Sequence, residues 1–281
     1  MKEDLTGREL PFVIDLARQA GAAALKFYGG PLHVEHKAAM DEPVTQADYA
    51  ANNLIVGALR REFPGDGLLS EESVDTKERL QHRRVWIIDP LDGTSGFIDG
   101  NGDFAVQIGL AQDGEAVFGV VYLPAIDVLY WAVRGAGAWV LRPEAEASRL
   151  RVSGERDFAR MRLAASRSHR SPRMNRVVES FNFKEEVRRG SVGIKVGLIV
   201  EGQCDLYIHL SPRTKQWDTC APEAILREAG GEMTDLFGER LRYNTPDIQN
   251  RNGLVVTNNA AHDRVIDRLR PLLAEFGRTR V

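Results

Sequence analysis

The 281-residue sequence predicts a layered mixed α/β fold in two halves. Two stretches with a helical spacing of apolar residues come first, and β-rich segments separated by Gly, Asp and Pro turns follow them. This order favours helices packed on an antiparallel sheet. After a segment rich in Glu, Ala and Arg at residues 142–151, predicted strands and helices alternate, which favours an α/β layer structure. We therefore expect two domains, over residues 1–145 and 146–281.

The first half is predicted to contain two helices and a meander. Apolar spacing predicts one helix over residues 10–28, ended by two glycines, and a second over residues 45–63, ended by Pro64 and Gly65. A short apolar run at residues 85–88 predicts a buried strand. Four further β-rich segments predict an antiparallel meander: residues 104–111, 117–123, 128–133 and 138–141.

In the second half, the alternating elements carry helix-start signals. Ser171 followed by Pro172 is typical of a capped helix start, and residues 190–200 favour a helix. The remaining periodic segments predict strands at residues 161–165, 204–210 and 253–257, and helices at residues 219–229 and 260–276.

The composition is that of a globular protein, with 43% hydrophobic and 27% charged residues, which excludes disorder as the main state. The 37 Lys and Arg against 40 Asp and Glu give a net charge of −3, which favours neither a nucleic-acid partner nor an anionic membrane. No stretch approaches the roughly 18 apolar residues of a membrane span, and the charged N-terminus lacks a signal core. We expect a cytoplasmic protein whose Cys204 and Cys220 are reduced thiols.

The most informative segment is the D-P-L-D-G-T sequence at residues 89–94, directly after the apolar strand. Pro90 fixes φ and Gly93 permits a sharp bend, so Asp89 and Asp92 can turn to the same side, with the Leu91 carbonyl as a third oxygen. Such oxygen ligands suit Mg²⁺. The alternative is a simple loop whose acids accept backbone N–H groups.

The backbone just beyond these acids is a candidate phosphate-binding segment. The N–H groups of Gly93, Thr94 and Ser95 stand where a helix or turn begins, and helix N-termini commonly bind phosphate.

Three further acids stand in short motifs, each with an ordinary structural alternative. Glu71 lies in L-S-E-E, where it can face inward or can belong to a solvent-exposed pair of glutamates. Asp48 lies in V-T-Q-A-D, where it fits the N3 position of a capping box. Asp218 follows Trp217 directly before a predicted helix, where it fits an N-cap.

Together these four motifs resemble the inositol monophosphatase and fructose-1,6-bisphosphatase superfamily of Mg²⁺-dependent, lithium-sensitive phosphatases. The resemblance implies an αβαβα sandwich with the active site between the two halves. It also implies that two or three Mg²⁺ ions are bound by Glu71, Asp89, the Leu91 carbonyl, Asp92 and Asp218. Asp48 and Thr94 would position and deprotonate the water that attacks phosphorus, without a covalent phosphoenzyme.

Within the superfamily, the second half is most similar to the 3′(2′),5′-bisphosphate nucleotidases, which remove the 3′-phosphate of adenosine 3′,5′-bisphosphate. The segments that carry this similarity are S-R-S-H at residues 166–169, residues 190–195, residues 217–223 and residues 230–235. The resemblance implies that four side chains contact the nucleotide: Ser166, His169, Ser191 and Lys195. The chain departs from the nucleotidase pattern at three places: Ser166 for Thr, Ser191 for Gly, and Ser95-Gly96 for Lys-Glu.

Other functions remain open from the sequence. An inositol monophosphatase or broad-specificity sugar phosphatase would use the same acids, and a non-catalytic phosphate sensor would keep the fold. The glycines Gly135 and Gly137 lack the third glycine and following helix of a dinucleotide site. Arg167, Arg170 and Arg173 fit a solvated basic face as well as a substrate contact. We expect a small phosphorylated substrate and a monomer or homodimer.

Overall fold

The computed structural model describes residues 5–37, 42–167 and 171–281. The helices of the described residues are α1 (Glu9–Leu25), α2 (Gln46–Glu62), α3 (Thr94–Ile98), α4 (Pro172–Phe181), α5 (Val192–Val200), α6 (Gln216–Glu228) and α7 (His262–Glu275), with a 3-10 helix at Glu78–Gln81. None of them combines the length and the apolarity that a bilayer crossing demands.

The strands form two large sheets and one short hairpin. The hairpin pairs β1 (Val34–Lys37) with β2 (Glu42–Thr45). The first sheet contains β3 (Gly67–Ser70), β4 (Arg84–Asp92), β5 (Ala105–Gln112), β6 (Glu115–Leu123), β7 (Val128–Val133), β8 (Gly137–Leu141) and β9 (Ser148–Arg149). The second contains β10 (Arg162–Ser166), β11 (Glu185–Arg189), β12 (Leu206–His209), β13 (Glu232–Thr234) and β14 (Leu254–Thr257).

The first sheet runs in chain order from β3 to β9, so the predicted meander is present. Within this sheet, β3 and β4 pair in parallel and the other neighbouring strands pair antiparallel. Helices α1 and α2 cover one face of this sheet, where Leu16 and Ile55 pack in one cluster with Trp86 and Phe118. The last strand, β9, falls within the segment 142–151.

The second sheet has the order β11-β10-β12-β14-β13, and α4 and α7 pack on its outer face through Val177 and Leu269. Helices α5 and α6 lie between the two sheets, since their apolar residues share one cluster with Tyr130 of the first sheet and Tyr207 of the second. The layers therefore run helix, sheet, helix, sheet, helix. The predicted αβαβα fold is confirmed.

Helix α6 rests directly on the backbone of the first sheet. Gly109 and Gly119 face each other across β5 and β6. A Cβ atom on Gly119 would lie 2.3 Å from the carbonyl oxygen of Ala221, and one on Gly109 would lie 2.8 Å from the Ala221 nitrogen. Two glycines are therefore needed where the helix meets the sheet.

Several elements differ from the sequence prediction. Helix α1 ends at Leu25 rather than at residue 28, and α6 begins at Gln216 rather than at residue 219. The strands β1, β2, β3, β9, β11 and β13 were not predicted, whereas the short helix α3 begins at Thr94, where a helix or turn was expected. Strand β11 has the sequence EEVRR and lies at a sheet edge, where charged side chains remain in solvent and no apolar alternation marks the strand.

Candidate active site

The predicted site residues meet at one cavity of about 380 Å³, which lies where the end of β4, the start of α5 and the start of α6 approach one another. Of the predicted residues, those that line the cavity are Glu71, Asp89, Leu91, Asp92, Gly93, Thr94, Ser95, Ser166, Ser191, Lys195 and Asp218. Asp48 lies behind Thr94 and is buried. His169 lies outside the described residues.

A strand irregularity brings Asp89 and Asp92 to the same side of β4. Val85 and Ile87 face α6, and Asp89 follows them because side chains alternate along a strand. Three residues on, a regular strand would turn Asp92 to the opposite face. The pairing of β4 with β5 slips between Asp89 and Asp92, so both carboxylates reach the cavity.

The bend after Asp92 depends on Gly93. Its φ is +100°, which an L side chain rarely adopts, and a Cβ atom there would lie 2.4 Å from the carbonyl oxygen of Asp103. The chain then enters α3 at Thr94. Gly93 thus allows the acidic strand end and the next loop to touch.

Asp218 completes an acidic trio from the other side of the cavity. Carboxylate oxygens of Asp89, Asp92 and Asp218 all lie within 4.8 Å of one another. Asp218 stands in the first turn of α6 and also accepts a hydrogen bond from the Lys215 N–H at 2.5 Å. The capping role and the place in the trio therefore coexist in one side chain.

The trio has the electrostatics of a cation site. Burial, and then the charges of neighbouring acids, raise the pKa values of Asp89 and Asp218 well above the ordinary value. Burial also raises the pKa of Asp92, against a hydrogen bond from Ser191 and the charge of Lys195. Glu71 lies outside the 4.8 Å group but contributes to the repulsion on Asp89 and Asp218. Hard oxygen donors that repel one another fit a divalent cation such as Mg²⁺.

Asp48 and Thr94 form a fixed pair beside this trio. The Thr94 hydroxyl lies 3.0 Å from Asp48 Oδ1 and 3.3 Å from the Leu91 carbonyl oxygen. The other oxygen of Asp48 accepts hydrogen bonds from the N–H and the hydroxyl of Thr45, at 2.8 and 2.7 Å. Burial raises the pKa of Asp48 despite these hydrogen bonds, so its carboxylate is a stronger base than an exposed one.

The start of α5 brings Ser191 and Lys195 to the cavity. The Ser191 hydroxyl donates to Asp92 Oδ2 at 2.5 Å and accepts from the Ile194 N–H at 3.2 Å. The Lys195 ammonium donates to the Gly190 carbonyl at 3.2 Å and lies 4.8 Å from the centre of the Tyr207 ring. Burial lowers the pKa of Lys195 to about 8. This cation therefore sits in the cavity wall, close to the acids.

The sequence did not single out several residues that line the cavity, among them Asp103, Tyr207 and Arg213. Arg167, for which a solvated face was one interpretation, also lines the cavity and forms an ion pair with Asp103 at 2.8 Å. One signal was available: Asp103 directly precedes an apolar strand, and the acids at residues 89–92 also flank one. Of the other two arginines, Arg173 lies over the Phe276 ring, and Arg170 is outside the described residues.

A sequence profile of the inositol monophosphatase family matches residues 8–273. The chain belongs to the inositol monophosphatase family. This family member is 38% identical over 233 residues to the 3′(2′),5′-bisphosphate nucleotidase CysQ of Salmonella typhimurium, a match that covers 82% of the chain and 92% of the relative.

Solved structures agree with this membership. CysQ from Bacteroides thetaiotaomicron superposes with a TM-score of 0.75 at 34% identity, covering 91% of this chain and 99% of that one. An inositol monophosphatase of Thermotoga maritima superposes with a TM-score of 0.82 at 26% identity, covering 96% and 99%. The predicted family and the predicted class, a phosphoric monoester hydrolase of the inositol monophosphatase family, are confirmed.

Proposed function

We propose that this chain is a Mg²⁺-dependent phosphomonoesterase that converts adenosine 3′,5′-bisphosphate to AMP and phosphate. The observation that carries the proposal is the convergence of Asp89, Asp92 and Asp218 next to the Asp48–Thr94 pair. The similarity to relatives named 3′(2′),5′-bisphosphate nucleotidase supports the choice of substrate.

The acidic trio, with Glu71 and the Leu91 carbonyl, would hold two or three Mg²⁺ ions. Bound ions of this kind neutralise charge on a phosphoryl group and on its attacking and leaving oxygens. The protein contributes the spacing of the carboxylates and a buried position in which their charges act strongly.

Thr94 and Asp48 would act on the attacking water. If the Thr94 hydroxyl donates its hydrogen to Asp48, its oxygen lone pairs are free to accept a hydrogen bond from water. The carboxylate of Asp48, held by Thr45, would then take up the proton that water loses through Thr94. The backbone N–H groups of Gly93, Thr94 and Ser95 would bind the phosphoryl oxygens.

The second phosphate of the substrate would be recognised at the cavity wall around Lys195, close to the acids. Lys195 would supply donors that a monophosphate would not require, and the resemblance assigns His169, which lies outside the described residues, to the same task. Ser166 lines the same wall at the end of β10. The Lys195 ammonium group lies over the face of the Tyr207 ring, 4.8 Å from its centre.

A second candidate is an inositol monophosphatase or a broad-specificity sugar phosphatase. The Thermotoga maritima structure supports it, since that inositol monophosphatase shares the whole fold. The acidic trio would act on either substrate. Discrimination between the nucleotide and the inositol or sugar phosphate would therefore depend on the cavity wall around Lys195.

Phosphate release from adenosine 3′,5′-bisphosphate and from inositol 1-phosphate, each measured across a Mg²⁺ titration, tests the proposal. We expect the nucleotide to give the higher kcat/KM, and Li⁺ to inhibit. A preference for inositol 1-phosphate would overturn the substrate. Asp92→Asn should abolish release, whereas Asp113→Asn, a variant in an exposed Asp–Arg pair, should leave it unchanged. The absence of metal-dependent release from every phosphate ester would indicate a sensor instead.

A further inference from the structure

The carboxylate of Asp103 joins two parts of the cavity wall that are far apart in sequence. Asp103 lies in the loop between α3 and β5 and is only 6% exposed. Its Oδ2 accepts the Gly190 N–H at 2.7 Å and pairs with Arg167 at 2.8 Å. A Cβ atom on Gly190 would lie 2.9 Å from the Cβ of Asp103, so the glycine permits this close approach.

The peptide groups at Gly190 are held from two directions. The Gly190 N–H donates a hydrogen bond to Asp103, and the Gly190 carbonyl oxygen accepts one from the Lys195 ammonium at 3.2 Å. The next residue, Ser191, has a φ of +50°, which is uncommon for a residue other than glycine. Such a conformation persists only where the surrounding structure enforces it. Both contacts on Gly190 directly precede the strained residue.

The strained residue in turn holds a member of the acidic trio. In this conformation the Ser191 hydroxyl reaches Asp92 Oδ2 at 2.5 Å, and the Gly193 N–H reaches the same oxygen at 3.0 Å. Both donors lie at the start of α5, directly after Gly190: Ser191 is the N-cap, and Gly193 is in the first turn. The position of that turn therefore decides how the carboxylate of Asp92 is oriented toward the cavity.

We propose that Asp103 is a positioning residue for cation binding, which acts through Gly190 and Ser191 on the carboxylate of Asp92. The inference rests on the proposed function, because it takes Asp92 as a ligand of the metal. Asp103 itself is engaged with Gly190, with Arg167 and, at 3.9 Å, with Arg189, and it is not one of the three acids of the trio. The same carboxylate links the cation site to the Arg167 side of the cavity.

Mn²⁺ binding, measured by electron paramagnetic resonance of the free ion, tests the inference without turnover. Removal of a group that orients a metal ligand typically costs about 10- to 100-fold in affinity. We expect Asp103→Ala to weaken Mn²⁺ binding by about tenfold or more. Asp103→Asn should stay within about threefold of the unmodified protein, because its amide oxygen still accepts the Gly190 N–H. The matched control, Asp113→Asn, removes an exposed Asp–Arg pair and should bind as the unmodified protein does.

Circular dichroism establishes that each variant is folded before binding is measured. If Asp103→Ala does not fold, Asp103→Ser replaces it, since its shorter side chain also fails to reach Gly190. A folded Asp103→Ala or Asp103→Ser protein with unchanged Mn²⁺ affinity would overturn the inference. Loss of affinity in Asp103→Asn equal to that in Asp103→Ala would overturn it as well, because charge rather than the Gly190 contact would then be responsible.

Failure of the proposed function gives a different pattern. Asp92→Asn that binds Mn²⁺ like the unmodified protein would remove Asp92 from the ligand set, and the inference would fall with it. Weak binding in both Asp92→Asn and Asp103→Ala, with normal binding in Asp103→Asn, supports the inference whichever phosphate ester proves to be the substrate.

Discussion

Ser191 and Asp92 are 99 residues apart in sequence, yet the Ser191 hydroxyl lies 2.5 Å from Asp92 Oδ2. The resemblance to bisphosphate nucleotidases implied a substrate contact for Ser191. Its hydroxyl donates to a member of the acidic trio instead of projecting freely into the cavity. A role in orienting Asp92 and a role in binding the substrate predict different effects of a substitution at Ser191.

The first prediction concerns Ser191→Ala. Loss of the hydroxyl leaves Asp92 Oδ2 with one donor fewer, so the Mg²⁺ concentration for half-maximal activity should rise by about tenfold. The KM for the nucleotide at saturating Mg²⁺ should change little. Steady-state rates over a matrix of Mg²⁺ and substrate concentrations measure both, with Ser148→Ala, on exposed strand β9, as the control. A rise in KM alone would assign Ser191 to the substrate.

The second prediction concerns Thr94→Val, which removes the hydroxyl but keeps the shape of the side chain. The water that attacks phosphorus would lose its link to Asp48, so kcat should fall by about 10²- to 10⁴-fold. Mn²⁺ affinity should stay close to that of the unmodified protein, because Thr94 supplies no ligand in the proposed site. Rates at saturating Mg²⁺ and Mn²⁺ binding together check this. A variant with nearly full kcat would show that the pair does not act on water.

The third prediction concerns Glu223, a buried acid of α6 away from the cavity. Burial raises its pKa to about 7, against the lowering effect of Arg227 at 2.5 Å. The pKa of Glu223 in the folded state lies above the ordinary 4.5. Its contribution to the free energy of unfolding is therefore fully present below pH 4.5 and is lost as the pH rises through 7, where the buried carboxyl group loses its proton. The loss should amount to at most about 3 kcal/mol.

Glu223→Gln should abolish that pH dependence, because the amide stays neutral and can still accept the Tyr243 hydroxyl. Urea unfolding at pH 5 and pH 8, in saturating Mg²⁺, measures the difference between variant and unmodified protein. The variant should gain relative stability at pH 8. The exposed Glu115→Gln, which removes a partner of Arg134, is the control and should show the same difference at both pH values. An equal effect of Glu223→Gln at both pH values would contradict the raised pKa.

The fourth prediction concerns Gly119→Ala. The new methyl group would lie 2.3 Å from the Ala221 carbonyl oxygen, a distance that forces α6 away from the sheet. Overpacking of this kind typically costs about 1–3 kcal/mol of stability. Thermal unfolding should show the loss, and Mn²⁺ affinity should fall because α6 carries Asp218. Gly154→Ala, where the space around the Cβ is open, is the control. An unchanged affinity would mean that α6 absorbs the methyl group without moving Asp218.

The sequence predicted best where the chemistry is local. The segment at residues 89–94 contains its own strand end, bend and acids, so a common side for the two carboxylates was predicted from it, with a simple loop as the alternative. The amphipathic helices α1 and α2 were likewise predicted from apolar spacing. The register slip between Asp89 and Asp92 was beyond the sequence, because it depends on how β4 pairs with β5.

The contacts of Asp103 show why the rest of the site was missed. Its partner Gly190 lies 87 residues further along the chain, and the one signal in the sequence, the place of Asp103 before an apolar strand, is shared by solvated acids. Strand β11 was missed for a related reason, since it owes its conformation to pairing with β10 rather than to an apolar pattern. Non-local backbone pairing is the information that a single sequence lacks.

The contact of Gly109 and Gly119 with α6 has a consequence for the strength of cation binding. Since backbone meets backbone there, the separation of Asp218 from the acids of β4 is set by rigid elements instead of by long, mobile side chains. The three carboxylates are thus preorganised, and in the proposed site a cation would bind without first having to bring them together. The affinity of the proposed site for a cation should therefore depend on how closely Gly109 and Gly119 let α6 pack on the sheet, as well as on the number of carboxylates.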